Sequence, residues 1–358
     1  LFQKKYQAAK DLLLDVYNNS GKKLMPNYHD NYRNITNNNA ESIFEVEFSV
    51  NDGSTGNNGN VGDNLNWPYS ANSPGRGCCG FYLPSQNLVN SFKTTEDGLP
   101  MIGSKADGTA DSYNAVDLPN DEGLKSNQAF DLKKDVPVDP RLDWTVGRRG
   151  IMFLDWQNHP GAAWIRNQPN GGPYSPKKYS YYKTDKGSLQ DNSSWTPGYT
   201  ALNYTVIRYA DLLLMAAECE VEVGSLAKAQ EYVNKVRTRA ANSAGFVKDA
   251  SGSNAANYVI KTYDAAWTDK AAARTAVRFE RKLELAMEGH RFFDVVRWGT
   301  DVTEINNYLD YESSAGHLPN TLPKKGAYQA KHALLPLPQS EIDLVNKKET
   351  ILTQNPGY

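Results

Sequence analysis

The sequence is short of the residues that most often announce chemistry. Three cysteines and five histidines occur in 358 residues, and none falls in a CxxC or His/Cys spacing that would build a zinc or redox centre. His29, His159, His290, His317 and His332 are scattered singly, so no metal site and no cofactor is expected. GxSxG, HExxH and GxxxxGK[ST] are absent as well, which removes the common hydrolase, metallopeptidase and phosphate-binding signatures. No run reaches eighteen apolar residues, so nothing in it spans a bilayer as a helix. An excess of one charge is also missing. The 39 basic and 41 acidic side chains leave a net charge of -2, which gives no reason to expect nucleic acid or an anionic membrane surface as a partner.

What the chain has in quantity is aromatic side chains: 21 Tyr and 7 Trp, many in stretches rich in Gly, Pro, Asn and Ser. Rings on loops present flat apolar faces to a ligand; the competing reading is that they plug the space beneath long loops. The cysteines are an adjacent pair, Cys78 and Cys79, and the isolated Cys219. The pair lies in Gly77-Cys78-Cys79-Gly80. It is compatible with a vicinal disulfide, with two thiols in a tight turn, or with pairing to chain outside this sequence. Cys219 falls on the apolar side of a helical pattern and reads as a small core residue.

Hydrophobic spacing organises the rest. Tyr6, Ala9, Leu13 and Val16 share one face of a helix over residues 1–17, with Gly21 as its stop. No Ser, Thr or Asp precedes that helix to cap it, so the chain reads as one whose beginning is absent. A signal peptide or lipid-attachment cysteine would lie in that absent part. Over residues 42–50, Phe44, Val46, Phe48 and Val50 alternate with Glu45, Glu47 and Ser49, predicting a strand with one buried face. Residues 51–77 are too rich in Gly, Asn and Ser for a regular element and form a long loop carrying Trp67 and Tyr69. A short helix is expected over 84–97 with Leu88, Val89 and Phe92 inward, and the chain from 98 to about 200 is mostly irregular. Helical order returns over 203–223, with Val206, Ala210, Leu213, Leu214, Ala217 and Val221 on one face. After Gly224, Ser225 caps a second helix whose buried stripe is Leu226, Ala229, Tyr232, Val233, Val236 and Ala240. The two form an antiparallel hairpin of the tetratricopeptide type. A third long helix follows over 266–288 and a short aromatic one over 292–298. One hairpin cannot bury its own face, so other helices must stack on it.

The most specific segment runs from Arg278 to Gly299. It follows the pattern R-x-E-R-x-x-E-L-x-x-E-G-x-R-x-x-D-x-x-R-W-G through Arg278, Glu280, Arg281, Glu284, Glu288, Arg291, Asp294, Arg297 and Trp298. It resembles the signature of the SusD/RagB family at every fixed position. Other stretches agree in order: Glu41 to Phe48, Asp139-Pro140-Arg141-Leu142, Val206 to Asp211 with Val233 to Ala240, and Leu335-Pro336-Leu337-Pro338 before Asn355-Pro356-Gly357-Tyr358. Spacings of three and four place Arg278, Arg281, Glu284 and Glu288 as a ladder of charge pairs along one helix, with Arg291, Asp294 and Arg297 continuing on the next. That reading is structural. The sharper alternative makes Glu284 and Glu288 the carboxylate pair of a glycosidase. Arg281, Lys282 and Arg291 nearby favour the ionised form of both, whereas a general acid must hold its proton. No catalytic residue is expected.

The resemblance implies a mainly α fold: an all-α scaffold with tetratricopeptide-type hairpins, long irregular loops and a few short strands. It implies one domain over 1–358 lacking its N-terminal part, with 42–200 a loop-rich ligand-binding elaboration and 201–299 the hairpin and signature helices. It further implies a surface-exposed lipoprotein of the outer membrane, attached only through a lipid on the absent N-terminus. Such a protein sits as a lid on a SusC-like TonB-dependent transporter and captures an oligosaccharide or, in some relatives, a peptide. The composition fits a sugar, whose apolar face stacks on rings while its hydroxyls need amide and carboxylate partners. Trp67, Tyr69, Trp164, Tyr174, Tyr181, Tyr182 and Trp195 are the candidate rings, with Asn66, Asn167, Gln168 and Asn170 as polar partners. Trp67 and Tyr69 stand first, because Asn66-Trp67-Pro68-Tyr69 lies in a stretch too polar to supply a core of its own.

Overall fold

A computed structural model describes residues 1–54, 56–103, 112–191, 198–314, 317, 326–347 and 349–358. Helices dominate it: α1 Tyr6–Asn19, α2 Gln86–Ser91, α3 Leu142–Thr145, α4 Gln168–Gly171, α5 Tyr209–Val223, α6 Leu226–Ala240, α7 Lys270–Glu284, α8 Arg291–Trp298, α9 Asp301–Ser314 and α10 Gln339–Val345. The strands are short and pair as separate antiparallel ribbons. These are β1 Ser42–Val46 with β8 Tyr204–Arg208, β2 Val146–Gly147 with β5 Ser175–Pro176, β3 Met152–Phe153 with β4 Gln157–Asn158, and β6 Gln190–Asp191 with β7 Tyr199–Thr200. The fold is therefore mainly α. No helix among the described residues is long and apolar enough to cross a membrane. The chain divides into two compact units, residues 3–289 with Leu1, and residues 290–358 with Phe2.

The first unit is built around α5. Leu212, Leu213 and Leu214 are consecutive and all buried, which a helix tolerates only when neighbours cover most of its surface. Here α1, α6 and α7 do so. The return into α6 is capped by Ser225, whose hydroxyl accepts from the Lys228 amide, and the stripe Ala229, Tyr232, Val233 and Val236 is buried as its spacing predicts. Asp269 caps α7 by accepting from the Ala272 amide, and Ala273 and Val277 join the same core. The first helix starts at Tyr6 without a side-chain cap and buries no residue fully. Leu13, Val16 and Tyr17 nevertheless pack on this core, with Tyr17 stacked on Tyr209 at 6.1 Å. A second core gathers the irregular segments, setting Phe92, Val138, Leu142 and Ile151 against Leu283 of α7.

Three elements depart from their sequence patterns. Helix α5 begins at Tyr209 rather than 203, because Tyr204 to Arg208 pair with β1; Val206 is a strand residue. Strand β1 stops at Val46 and turns its apolar face outward, with Phe44 56% and Val46 44% exposed. Polar anchors decide that orientation: Asn203 donates to Glu45 at 2.7 Å, and the flanking Glu41 is fully buried among arginines. The helix expected over 84–97 shortens to α2, capped by Ser85.

The second unit carries α8, α9 and α10. Gly299 ends α8 in the left-handed conformation (φ +71) that glycine adopts without strain. Arg297 pairs with Asp294 at 2.7 Å and lies over Trp298 at 5.0 Å. Arg291, expected to continue a ladder, pairs instead with Glu304 of α9.

Candidate functional site

In the first unit the signature carboxylates lie in a buried ion network drawn from distant segments. Arg141 binds Asp139 through two nitrogens, at 3.0 and 2.7 Å, and reaches Glu280 at 2.7 Å and Glu284 at 2.8 Å. Arg208 holds Glu41 at 2.7 Å, Glu284 at 2.5 Å and Glu288 at 2.9 Å. Arg239 bridges Glu41 at 3.0 Å and Glu284; Arg237 takes Glu280 at 2.9 Å and Lys178 takes Glu288 at 2.7 Å. Five cations thus face five carboxylates, and that balance is what an interior tolerates. The ladder expected along one helix is corrected: Arg281 turns to Asp211 of α5 at 2.6 Å, and the partners of Glu284 come from outside α7.

This setting decides the protonation of the carboxylate pair. Burial alone would raise both, but the cations outweigh it. Arg239, Arg208 and Arg141 hold Glu284 well below the carboxylate range. Arg208 and Lys178 hold Glu288 down to about 2. Neither group keeps a proton for a leaving oxygen. The ions responsible are not the Arg281, Lys282 and Arg291 that the sequence suggested.

Most of the candidate rings are interior, which corrects their expected display on loops. Trp67, Trp164 and Tyr181 are each 1% exposed and Tyr174 is 2% exposed. The irregular segments supply one another's core. Trp67 donates Nε1–H to the Tyr179 carbonyl at 2.9 Å and leans on Tyr181 at 4.7 Å. Trp164 meets Phe153 edge-on at 5.5 Å, and Tyr174 donates to Gln86 at 2.7 Å. A polar loop can bury a tryptophan because one carbonyl satisfies its single polar atom. Tyr182 is half-buried beneath Arg33, 4.4 Å from the ring centre, and Tyr69 is also half-buried. Gln168 is buried, whereas Asn167 and Asn170 are exposed. Trp195 lies outside the described residues. Cys78 and Cys79 are bonded to each other, and Cys219 is buried in α5.

The loop doubles back at Gly75, where a Cβ would stand 2.1 Å from the Pro68 carbonyl oxygen and 2.2 Å from that of Cys78. The fold-back brings Trp67 and Tyr82 to the wall of one cavity of about 170 Å³. Of the candidates named from sequence, Asn66 and Trp67 line it. Tyr179 and Tyr204 stack on each other there at 5.4 Å. The ion network supplies the floor: Lys178 is fixed by Glu288, and Tyr204 donates to the Glu288 carbonyl at 3.3 Å. Met287 (φ +64) and Gly289 (φ +84) form the adjoining turn. Lys178 is pushed down to about 8 by burial, against the pull of Glu288.

Two residues that line this cavity carry polar groups under-used among the described residues. Asp63 accepts from Asn60 Nδ2 at 2.7 Å, yet burial outweighs that bond and pushes its carboxyl up to about 7. The Tyr179 hydroxyl is shut from solvent and meets no hydrogen-bonding partner among the described residues. Tyr82, which lines the cavity, is 52% exposed and the adjacent Phe81 50%. Arg166 lies 5.6 Å from Phe81 and 5.9 Å from Tyr69. Sequence reasoning passed over Asp63, Phe81, Tyr82 and Tyr179. The available signal was Gly80-Phe81-Tyr82-Leu83-Pro84, an aromatic pair between turn formers directly after the cysteines.

Known proteins share this arrangement of elements. The model of the SusD family matches residues 40–358. A SusD-like protein, P25, of Formosa agariphila is 34% identical over 143 residues, covering 40% of this chain and 22% of that protein. A SusD superfamily structure from Bacteroides vulgatus superposes with a TM-score of 0.60 at 20% identity, covering 100% of this chain and 60% of that one. A laminarin binding SusD-like protein superposes with a TM-score of 0.54 at 22% identity, with coverage of 100% and 60%. The chain thus spans less than two-thirds of the length of these relatives. The signature, the buried network it builds and the family match over most of the chain agree: this protein belongs to the SusD family.

Proposed function

We propose that this chain captures an oligosaccharide at the outer-membrane surface, held there by a lipid, and hands it to a SusC-like TonB-dependent transporter without cleaving it. The observation that carries this reading is the cavity. It combines stacked tyrosines, a tryptophan and a half-exposed tyrosine with a carboxyl, the mixture that a sugar's apolar face and hydroxyls require. Laminarin binding by a structural neighbour on the same frame supports it. The ionised state of Glu284 and Glu288 supports binding over hydrolysis. The test is an array of oligosaccharides and oligopeptides probed with the protein, followed by chromatography of any bound glycan. Saturable binding with the glycan recovered intact is expected. Shortened products would make the protein an enzyme, and binding to peptides alone would make it a peptide receptor. Co-purification with a β-barrel transporter tests the delivery step.

A further inference from the structure

Resting on the glycan-binding reading, we propose that Arg166 selects an acidic saccharide, its guanidinium meeting a carboxylate or sulfate on a sugar ring held along Phe81 and Tyr82. Three surface segments build the place. The Tyr69 amide donates to the Trp164 carbonyl at 2.9 Å, and the buried Trp67 and Trp164 anchor those two segments from beneath. Gly80 closes the third against them: a Cβ there would stand 3.3 Å from the Cβ of Tyr69 and 3.7 Å from that of Arg166. The Arg166 guanidinium lies over both the Phe81 and Tyr69 rings, close enough for each aromatic face to attract it. These rings and a 3.4 Å bond from Nη1 to the Cys79 carbonyl hold the exposed side chain in place, so little of its freedom is lost when a ligand binds.

Charge identifies the occupant. The chain has 41 acidic side chains, yet residues 64–95 and 156–184, which supply Tyr69, Phe81, Tyr82 and Arg166, contain no Asp or Glu. Of their basic side chains, Lys93, Lys177 and Lys178 are buried. They bond to the Val116 carbonyl, to the Asp143 and Met152 carbonyls, and to Glu288. Arg76, Arg166 and Lys183 are exposed. Arg166 is set over the two rings, and among the described residues no carboxylate pairs with it. The carboxylates of adjoining segments face elsewhere: Asp121 meets Arg149 at 3.7 Å, and Asp63 is buried in the cavity wall. A guanidinium presents its N–H donors in a planar fork that fits two oxygens of a carboxylate or sulfate at once. Tyr82 lines the cavity and Phe81 adjoins it. A saccharide that leaves the cavity past Tyr82 therefore reaches Arg166 with the apolar face of its next ring on Phe81.

The test titrates saccharides calorimetrically into the full chain. The acidic probes are hexagalacturonate and the hexasaccharides of hyaluronan and κ-carrageenan; the last two alternate acidic and neutral rings, so that a neutral ring can face Asp63. The neutral probes are cello-, laminari-, malto-, manno- and xylohexaose. At least one acidic probe should bind tenfold or more tightly than every neutral one, and whether a uronate or a sulfate leads separates the two oxyanions. Arg166→Gln should leave Tm nearly unchanged, because the side chain is exposed, and should weaken that ligand roughly tenfold or more. Arg166→Lys keeps the charge without the fork and should fall between. Removing the charge from the ligand instead, by methyl-esterifying the uronate or desulfating the galactose, should cost a similar factor with the protein untouched. Raising the salt concentration should weaken the wild type more than Arg166→Gln. A neutral hexasaccharide bound as tightly as the acidic ones overturns the proposal and leaves glycan binding standing. So does wild-type affinity in Arg166→Gln or for the uncharged ligand. If nothing in the panel binds, the glycan-binding reading falls as well.

Discussion

Replacing Glu284 by Gln removes one charge from a network balanced five against five and changes almost no volume. One Glu284 oxygen accepts from Arg208 at 2.5 Å and from Arg239, and the other accepts from Arg141 at 2.8 Å. An amide keeps one acceptor oxygen but turns an N–H₂ toward a guanidinium. It leaves the network with one excess positive charge at zero solvent exposure. Removing one partner of a buried ion pair costs about 3–5 kcal/mol. At about 2.1 cal/mol/K per residue, 358 residues give an unfolding entropy near 0.75 kcal/mol/K, so Tm should fall by roughly 4–7 °C. Thermal unfolding at pH 7, followed by circular dichroism, measures this. Adding Arg239→Gln restores the balance, and the other partner of Arg239, Glu41, keeps Arg208. The double variant should therefore be less destabilised than the sum of the singles by about 1–3 kcal/mol. Ligand affinity per folded molecule should not change, because Glu284 does not line the cavity. A wild-type Tm for Glu284→Gln, or strict additivity in the double variant, would refute the network argument. Loss of binding at unchanged Tm would place Glu284 in the site.

Trp67→Ala should destabilise the protein by about 3–5 kcal/mol, the cost of emptying a buried aromatic position. Tyr82→Ala, at a half-exposed ring, should leave Tm nearly unchanged and weaken glycan binding roughly tenfold; the opposite pattern would return Trp67 to the role the sequence gave it. Burial keeps His29 and His159 neutral, the latter down to about 3. The unfolded chain takes up both protons below about pH 6.5 and the folded chain does not. Stability should thus fall as pH drops, by roughly 1.4 kcal/mol per unit for each, and a denaturation series in which His159→Gln keeps the wild-type slope would count against this. Asp63 acts in the opposite direction. Its folded carboxyl titrates near 7 and its unfolded one near 3.8, so stability is lost as pH rises between them. Asp63→Asn should therefore gain up to about 4 kcal/mol over the wild type at pH 8 relative to pH 4, and an equal effect at both pH values would contradict the burial argument.

The helical half was legible because its information is local. The stripe of α6, the Ser225 cap and the Gly299 stop are each decided within a few residues. The signature was legible as a pattern but not as a mechanism. Glu284 meets Arg141 and Arg208 from 143 and 76 residues away, and no spacing rule reaches that far. The strand face was misread for a related reason. Alternation places Phe44 and Val46 on one side, but the remote Asn203 decides which side turns inward. The rings were hardest. Trp67 and Trp164 sit in segments that look too polar to bury anything, yet irregular segments bury one another's aromatics once carbonyls such as that of Tyr179 satisfy the indole. Phe81 and Tyr82, which no spacing pattern singled out, stand half-exposed just after the cysteine pair.

The central claim is that the cavity beneath Tyr82 holds an intact sugar. The most direct measurement is a crystal structure of the full chain with the oligosaccharide that binds it most tightly. This account predicts the saccharide seated in the cavity lined by Asp63, Tyr179, Tyr204 and Tyr82, continuous and uncleaved past Tyr82. A saccharide bound only at a distance from these residues, or found cleaved, would contradict it.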